Sequence, residues 1–168
     1  MSRKLFGALI MLVFVSVLTA APSPVSAQED KSPIQLALFT PVQIFPENYT
    51  ISGVRLNLLY GRNVSVTGLD FGFFVNHTTG GVSKGVQFGL VGLNEADFVG
   101  FQNNFVNIVR GDFEGFQWGF VNHAHYANGF QLGFVNYAES MKGIQIGLVN
   151  IIKQGGQFPV FPFFNWSF

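Results

Sequence analysis

The chain has 168 residues, a formal net charge of zero, 11% charged residues and no cysteine. Soluble domains average about 25% charged residues, so this composition excludes disordered chains and nucleic-acid-binding chains, both of which depend on charge. The lack of cysteine excludes disulfides, thiolate metal sites, cysteine nucleophiles and a lipid anchor on an N-terminal cysteine. With 21 Phe and 20 Gly, the chain is apolar and glycine-rich, and its length allows one domain.

The first 27 residues have the features of a secretory signal peptide. Arg3 and Lys4 precede an apolar run over residues 5–21, and residues 25–27 (Val-Ser-Ala) form a small-x-small cleavage site. An uncleaved transmembrane anchor is the alternative, but the run is shorter than the ~20 residues that a spanning helix needs. Residues 1–27 are therefore predicted to be a signal peptide. The mature chain, beginning near Gln28, keeps seven basic and nine acidic residues and is mildly acidic.

Residues 28–50 lie between the predicted signal peptide and the first repeat. They contain Pro33, Pro41 and Pro46. We predict that this segment is an N-terminal leader or an edge segment of the domain that follows.

One eight-residue unit recurs through residues 51–168, which we predict to be a repeat β domain. Its pattern is Gly, apolar, Gln, apolar, Gly, apolar, Val, Asn, and it stands complete at 115–122, 129–136 and 143–150. Four looser copies begin at Gly53, Gly68, Gly85 and Gly100. Successive starting glycines are 14–17 residues apart, so the sequence predicts an architecture of 14–17-residue strand-turn repeats.

Each unit alternates with a period of two, which is typical of a β-strand. In the copy at 115–122, Phe116, Trp118 and Phe120 share one face, while the other face carries Gly, Gln, Gly and Val. Glycine weakens a strand interior, so its regular return on one face predicts the close approach of something large. Nearly all charged residues fall between the units, which predicts turns there. The predicted strands cover 51–61, 64–76, 82–92, 97–109, 113–125, 128–138, 142–152 and 157–168.

One architecture that suits these strands is an antiparallel meander closed into a small outer-membrane barrel. A strand of ten or eleven residues, tilted by about 40°, crosses the apolar band of such a barrel, and eight strands give the even number that bacterial barrels have. The last strand ends on Phe168 with aromatic residues alternating behind it, which resembles the C-terminal signal of outer-membrane barrels. Pro159 and Pro162 fit poorly, because a closed barrel has no edge. The primary prediction is an all-β fold of about eight antiparallel strands forming an outer-membrane-type β-barrel.

The alternative is a β-solenoid in which each repeat forms one coil. An antiparallel barrel favours a two-strand repeat of about 28 residues, whereas a solenoid gives every one-strand copy the same surroundings and stacks Gln and Asn into ladders. Residues 156–168 would then cap the stack, and the aromatic face would point inward, although Phe and Trp crowd so short a coil.

Arg55 and Asp70 distinguish these two architectures. They occupy the Gln position of adjacent copies, so stacked coils place them side by side as an ion pair, whereas a meander offsets them. A charge-swapped double mutant that rescues neither single mutant would contradict the stacked arrangement.

The repeat unit is similar to the surface-repeat family of bacterial exported proteins, first labelled in leptospires. The resemblance covers residues 51–168, including the closing segment 162–168 (Pro-Phe-Phe-Asn-Trp-Ser-Phe). It implies a secreted or envelope protein and brings no catalytic residues. Some members of the family are described as lipoproteins, but lipid attachment does not carry over, because this chain lacks cysteine.

Candidate chemistry is sparse. His123 and His125 form a His-x-His pair, which on one strand puts both rings on one face and can hold a metal. Only Asp112 or Glu114 is near enough in sequence to add a third ligand. The pair lies where a predicted strand meets a turn, and His77 has a similar place, so we interpret these histidines as polar strand ends. We therefore expect no catalytic, cofactor-binding or metal site and no cofactor.

These observations predict a non-catalytic, structural or surface-binding envelope protein. Its expected location is the outer membrane or cell surface of a Gram-negative-type bacterium. The alternatives are a soluble or surface-attached β-solenoid binding module and a lipid-modifying barrel enzyme, for which only Asp70 among the carboxylates lies inside a repeat unit. A large exposed aromatic face needs a partner, and the expected partners are outer-membrane lipid and the barrel-insertion machinery, with no nucleic acid. No surface ligand follows from the sequence.

Overall fold

The structure, a computed structural model, describes residues 30–168, and these contain strands but no helix. The predicted signal peptide, residues 1–27, lies outside the described residues. The strands form one sheet. They are β1 (Lys31–Phe39), β2 (Val42–Gln43), β3 (Thr50–Asn63), β4 (Val66–Gly72), β5 (Val75–Thr78), β6 (Ser83–Asn94), β7 (Phe98–Gln154) and β8 (Val160–Ser167). The prediction of an all-β repeat fold is confirmed.

Successive repeat copies pair in parallel and in register. Gly53 in β3 lies beside Gly68 in β4, Gly68 lies beside Gly85 in β6, and Gly85 lies beside Gly100 in β7. Each copy is therefore one coil of a β-solenoid, and the prediction of an eight-stranded antiparallel barrel is wrong. The physical reason lies in the repeat length, because one strand per repeat gives every copy the same neighbours only when all copies run in the same direction.

β7 shows the coiling most directly. Its 57 residues would span ~190 Å as a straight strand, yet the chain returns to the same column once per repeat, since Gln117 donates to Gln102 and Gln131 donates to Gln117. The predicted turns at 110–112 and 139–141 lie in extended backbone. The chain changes direction at the corners of each coil, so hairpin turns between the units are not needed.

Each coil has a longer first side and a shorter second side. In β3 the first side covers 51–57 and pairs with β4, while the second side covers 60–63 and pairs with β5. At the corner of a later coil, Phe120 is exposed and Val121 partly exposed, and alternation resumes with Asn122 fully buried. The Val of each unit therefore lies on the outside, and its assignment to the Gly and Gln face is wrong because the corner shifts the alternation by one residue.

The interior is polar and contains a ladder of glutamine side chains. Its members are Gln87, Gln102, Gln117, Gln131 and Gln145, each at most 1% exposed. From Gln102 onward, each Nε2 donates to the Oε1 of the glutamine in the preceding coil at 2.7–2.8 Å. At the N-terminal end, Gln87 Nε2 donates to Asp70 Oδ2 at 2.8 Å. A buried amide costs free energy unless its polar groups are bonded, so these bonds along the stack are what make a polar interior possible.

A second ladder, made of asparagines, runs in the opposite direction. Asn107, Asn122 and Asn136 each donate from Nδ2 to the Oδ1 of the following coil at 2.8 Å, and the ladder ends at Asn150. These side chains come from the second side and fill the space that glycine leaves on the first side. A Cβ on Gly119 would lie only 2.6 Å from Asn107 Nδ2. The two ladders align their amide dipoles in opposite directions, so the dipoles offset one another.

Arg55 and Asp70 lie side by side in the same interior column. Arg55 Nε is 2.7 Å from Asp70 Oδ1, and Nη2 is 2.8 Å from Oδ2. Arg55 Nη1 also donates to the carbonyl oxygen of His77 at 3.0 Å. This is the ion pair that the solenoid alternative predicts, and both side chains are buried.

The glycine that begins each unit has a steric cause. Gly115 has a φ of +131°, and a Cβ built on it would overlap the carbonyl oxygen of Gly100 in the preceding coil. The close approach predicted for this face is therefore present, and the group that approaches is the backbone of the neighbouring coil. A side chain there would be strained by both the dihedral angle and the contact.

Three buried apolar side chains lie outside β7, at Ala37, Ile51 and Val66, and the others form one cluster in the coils of β7. The members of this cluster are Phe98, Val109, Phe113, Ala124, Ala127, Ala138, Met141 and Ile152. In the preceding coil, Ser83 aligns with Phe98 and Asn94 aligns with Val109, so the equivalent positions are polar. The aromatic residues of the repeat units are not part of this core. The expectation that a solenoid would hold them inside is wrong, because Gln and Asn already fill the narrow interior.

The two ends of the sheet differ from the coils between them. At the N-terminal end β1 pairs in parallel with β3, and β2 pairs antiparallel with β1. At the C-terminal end β8 pairs antiparallel with β7, so that Trp166 lies beside Ile144 and Phe164 beside Ile146. Pro162 belongs to this edge strand, where proline is tolerated because the missing N–H faces no neighbour. The C-terminal segment thus caps the stack, as the solenoid alternative predicts.

Candidate binding surface

The outward side chains of the first side form one continuous surface, which we call the plate. It consists of three columns along the solenoid axis, with one residue from each coil in each column; β1 adds a residue to all three columns and β8 adds one to the first two. The first column contains Ile34, Val54, Leu69, Val86, Phe101, Phe116, Phe130, Ile144 and Trp166. The middle column contains Leu36, Leu56, Phe71, Phe88, Asn103, Trp118, Leu132, Ile146 and Phe164. The third column contains Leu38, Leu58, Phe73, Leu90, Phe105, Phe120, Phe134 and Leu148.

The plate is apolar and exposed. Every member of the third column is at least 43% exposed, and Phe73 reaches 71%. Its rings stack in rows, with centroids 5.0 Å apart between Phe105 and Phe120 and 4.8 Å apart between Phe120 and Phe134. Stacking fixes the orientation of these rings, so the plate is a preformed surface.

The plate contains no charged side chain, and Asn103 is its one polar member. Charged residues flank the first column at Lys84, Glu114 and Lys142, all of them exposed. From the ~4.8 Å spacing of strands and the rise of two residues between columns, the plate measures roughly 40 Å by 20 Å, or 800 Å². Exposed apolar patches larger than a few hundred square ångströms mark interaction sites.

A groove of about 870 Å³ opens at the N-terminal end of the plate. Plate residues such as Leu36, Leu56 and Phe71 line it together with Val42 and Ile44, which follow β1. Its volume lies within the range of about 300–1,000 Å³ that ligand pockets occupy. The groove therefore extends the apolar surface onto the segment after β1.

The second side of the stack carries a row of polar side chains from four successive coils. The hydroxyl of Tyr60 lies 2.7 Å from Nδ1 of His77. On the other side of the ring, His77 Nε2 lies 3.3 Å from Glu95 Oε1, an ion-pair distance without hydrogen-bond geometry. Arg110 Nη1 lies 2.6 Å from Glu95 Oε2. Burial lowers the pKa of His77 and raises the pKa of Tyr60, so both groups favour their neutral forms, and the row ties the coils together.

His123 and His125 both lie on the outside of the second side. His123 is half-buried and stacks on Tyr137, with ring centroids 4.8 Å apart and planes 2° apart, and burial lowers its pKa. His125 is exposed. Both lie within β7, so their interpretation as strand ends is wrong. Across residues 30–168, no three His, Asp or Glu side chains form a group that could hold a metal ion, so neither Asp112 nor Glu114 completes a site with the pair.

The barrel prediction placed the aromatic face outward, against lipid, whereas the solenoid alternative placed it inside. Sequence reasoning missed that a solenoid of these repeats keeps the aromatic face on its outer surface. The available signal was the length of the coil, because 14–15 residues enclose an interior only one side chain deep. The Gln and Asn of each unit can bond along the stack in that space, whereas Trp118 and its neighbours are too large for it. The position of Asn103 in the centre of the apolar columns also passed unnoticed.

No protein-family model matches the chain, and no curated protein and no solved structure matches it. The resemblance to the surface-repeat family therefore stays a prediction. In the part of the chain that the structure describes, no helix is long and apolar enough to cross a membrane.

Proposed function

We propose that the protein is an exported, non-catalytic β-solenoid binding module whose binding surface is the plate. The observation that carries the proposal is an exposed apolar surface of about 800 Å² with no charged side chain. Covering an area of that size removes apolar surface from water at about 25 cal/mol per Å², or ~20 kcal/mol before the costs of association. Because the gain is this large, we expect the plate to be covered by a partner.

The interior supports binding over catalysis. Its Gln and Asn side chains are bonded from coil to coil and leave no space for a substrate, as the burial of Gln117 and Asn122 illustrates. The polar groups of the second side, including His77 and Glu95, are engaged with one another. The hypothesis of a lipid-modifying enzyme depended on a barrel fold, so the solenoid fold removes its basis.

Export to the bacterial envelope is part of the proposal. It rests on the signal peptide predicted for residues 1–27 and on the resemblance to the surface-repeat family. Cleavage after Ala27 would leave every strand of the described residues intact, since β1 begins at Lys31. Outer-membrane lipid is a candidate partner, favoured by the lack of charge on the plate, whereas barrel-insertion machinery has no role for a solenoid.

Trp118 offers a direct test, because it lies in the middle column and is 52% exposed. In a Trp166→Phe background, we expect the emission of Trp118 to be shielded from acrylamide when the mature chain, residues 28–168, has its plate covered. Two conditions are compared: the chain alone at high concentration, and the dilute chain with vesicles of phosphatidylethanolamine and phosphatidylglycerol. Free quenching in both conditions would contradict the proposal.

Matched variants locate the binding surface. Phe105→Gln combined with Phe120→Gln places two amides in the third column and should restore quenching of Trp118. Ile108→Gln places the same amide on the second side and should leave the shielding unchanged. If Ile108→Gln has the larger effect, the second side is the binding surface and the assignment to the plate is wrong.

A further inference from the structure

We propose that the plate is covered by the plate of a second copy of this chain, with the two solenoids antiparallel. The inference rests on the proposed function, because it names the partner of the same surface. Two sheets that face one another pack about 10 Å apart. A two-fold axis between them, parallel to the strands, generates such a pair with the same surface buried on both copies.

The position of Asn103 favours a second copy. It is the fifth of nine residues in the middle column, with Leu36, Leu56, Phe71 and Phe88 before it and Trp118, Leu132, Ile146 and Phe164 after it. A two-fold arrangement that overlaps the plates completely therefore places Asn103 against Asn103 of the second copy. Two primary amides can donate to and accept from one another, so the one polar member of the plate is satisfied at the point where it meets itself.

The charges along the edge of the plate select the antiparallel arrangement. One residue per coil flanks the first column, in the order Ser52, Thr67, Lys84, Val99, Glu114, Asn128 and Lys142. Val99 shares a coil with Asn103 and stays in the middle when the order is reversed. In the antiparallel dimer, the coil before Val99 in one copy faces the coil after Val99 in the other copy. Lys84 therefore faces Glu114 of the second copy, and Glu114 faces Lys84 of the second copy.

Neither Lys84 nor Glu114 forms an ion pair within residues 30–168, and both are exposed. Both are therefore free to pair across the interface. The parallel arrangement lacks this complementarity, because it sets Lys84 opposite the corner that contains Leu90 and Val91. The antiparallel dimer thus contains two symmetric ion pairs around its centre.

The area agrees with a stable dimer. About 800 Å² from each copy gives a total near 1,600 Å², the size of a standard specific protein interface. Its centre is aromatic and uncharged, and its edge is polar, which is the usual arrangement of such interfaces.

A lipid surface explains these features less well. In a bilayer, Asn103 would enter hydrocarbon with its amide unpaired, at a cost of several kcal/mol. The edge of the plate carries Lys84 and Lys142 together with Glu114, so it has no strong positive charge with which to attract anionic lipid.

The test is sedimentation velocity on residues 28–168 without lipid, across a range of concentrations. We expect a monomer–dimer equilibrium in which Lys84→Glu or Glu114→Lys weakens the dimer by roughly tenfold, because each change acts twice in the dimer. The double variant Lys84→Glu, Glu114→Lys should restore the parent affinity. Lys142→Glu, which makes the same charge change opposite Ser52, should have little effect, and circular dichroism should be unchanged in all four variants.

Asn103→Asp adds an independent measurement. It sets two carboxylates against one another on the axis, so we expect the dimer to dissociate at neutral pH while the monomer stays folded. A chain that is monomeric at every concentration would overturn the proposal, and so would a dimer in which the double charge reversal fails to restore affinity. Shielding of Trp118 by vesicles in a monomeric chain would leave the plate as the binding surface and identify lipid as its partner. Free quenching of Trp118 in every condition would overturn both proposals.

Discussion

Removing the charge of Asp70 has the largest expected cost of any single change in the interior. Asp70→Asn keeps the size of the side chain but leaves the Arg55 guanidinium, which is 0% exposed, without a counterion. Asp70 accepts from Nε and Nη2 of Arg55 at 2.7 and 2.8 Å and from Nε2 of Gln87 at 2.8 Å. Breaking one side of a buried ion pair costs about 3–5 kcal/mol. We expect the free energy of unfolding to fall by that amount.

A pair of glutamines should recover most of this loss. Arg55 and Asp70 occupy the interior column between Gln35 and Gln87, so the double variant Arg55→Gln, Asp70→Gln extends the glutamine ladder through both coils. The large cost of breaking a buried ion pair comes from the charge left without a partner, and removing both charges together avoids it. In a double-mutant cycle, the two single glutamine variants should therefore be coupled by roughly 3 kcal/mol.

The assay is urea unfolding followed by circular dichroism. The slope of the free energy of unfolding against urea concentration must be compared between variants, because a stack of repeats can unfold in parts. The matched control is the Arg62–Glu47 pair, in which the charged atoms are 3.2 Å apart but the side chains are 42% and 50% exposed. Glu47→Gln should cost less than about 1 kcal/mol. Additive single and double variants at Arg55 and Asp70 would show that these side chains are not neighbours in solution, and would refute the register of the stack.

Three further changes probe other parts of the molecule. Gly115→Ala should destabilise the protein by more than about 2 kcal/mol, since it places a Cβ at positive φ against backbone. The control Gly80→Ala should be close to neutral, because its Cβ would meet only Val64 at 3.9 Å. Equal urea midpoints for the two variants would contradict the contact between coils. Gln117→Leu breaks two buried ladder bonds, whereas Gln154→Leu removes an exposed amide whose contact with Glu139 is 3.5 Å, so the first should cost about 1–3 kcal/mol more by urea unfolding. Equal costs would contradict the ladder. Because burial lowers the pKa of His77 below its ordinary 6.5, the unfolded chain binds more protons just below that pH, and the urea midpoint should fall as the pH drops through and below 6.5. His77→Gln should reduce that slope, and an unchanged slope would assign it to another group.

The strands and their period could be predicted from the sequence, because alternation and glycine spacing are local properties. The direction of the strands could not, since a period of two is the same in parallel and antiparallel sheets. The barrel and the solenoid therefore both fitted residues 51–168. The Arg55–Asp70 pair carried the missing information, because only an in-register parallel stack brings equal positions of adjacent copies together.

The orientation of the strand faces was the harder problem. The barrel prediction placed Phe116 and Trp118 outside, against lipid. The solenoid alternative followed the usual expectation that aromatic residues are buried and placed them inside, and this was wrong. Burial of Gln117 became favourable because both ends of its amide find partners in neighbouring coils, which is a property of the stack that no single repeat contains. The plate, and with it the binding surface, could be recognised only after the coils had been assembled.

The uneven distribution of the apolar core links the plate to folding. The apolar cluster lies within β7. In β3 to β6 the buried apolar side chains are Ile51 and Val66, and these coils depend more on the Arg55–Asp70 pair and on polar contacts such as the 2.7 Å bond from Thr78 Oγ1 to Asn94 Oδ1. In a stack stabilised by contacts between neighbours, coils with less buried apolar surface open first. The plate and its groove extend across these N-terminal coils, so a partner that covers the plate adds apolar burial where the interior supplies least of it. Association and the folding of the N-terminal coils are therefore thermodynamically linked, and the stability of those coils should rise with the concentration of whatever covers the plate.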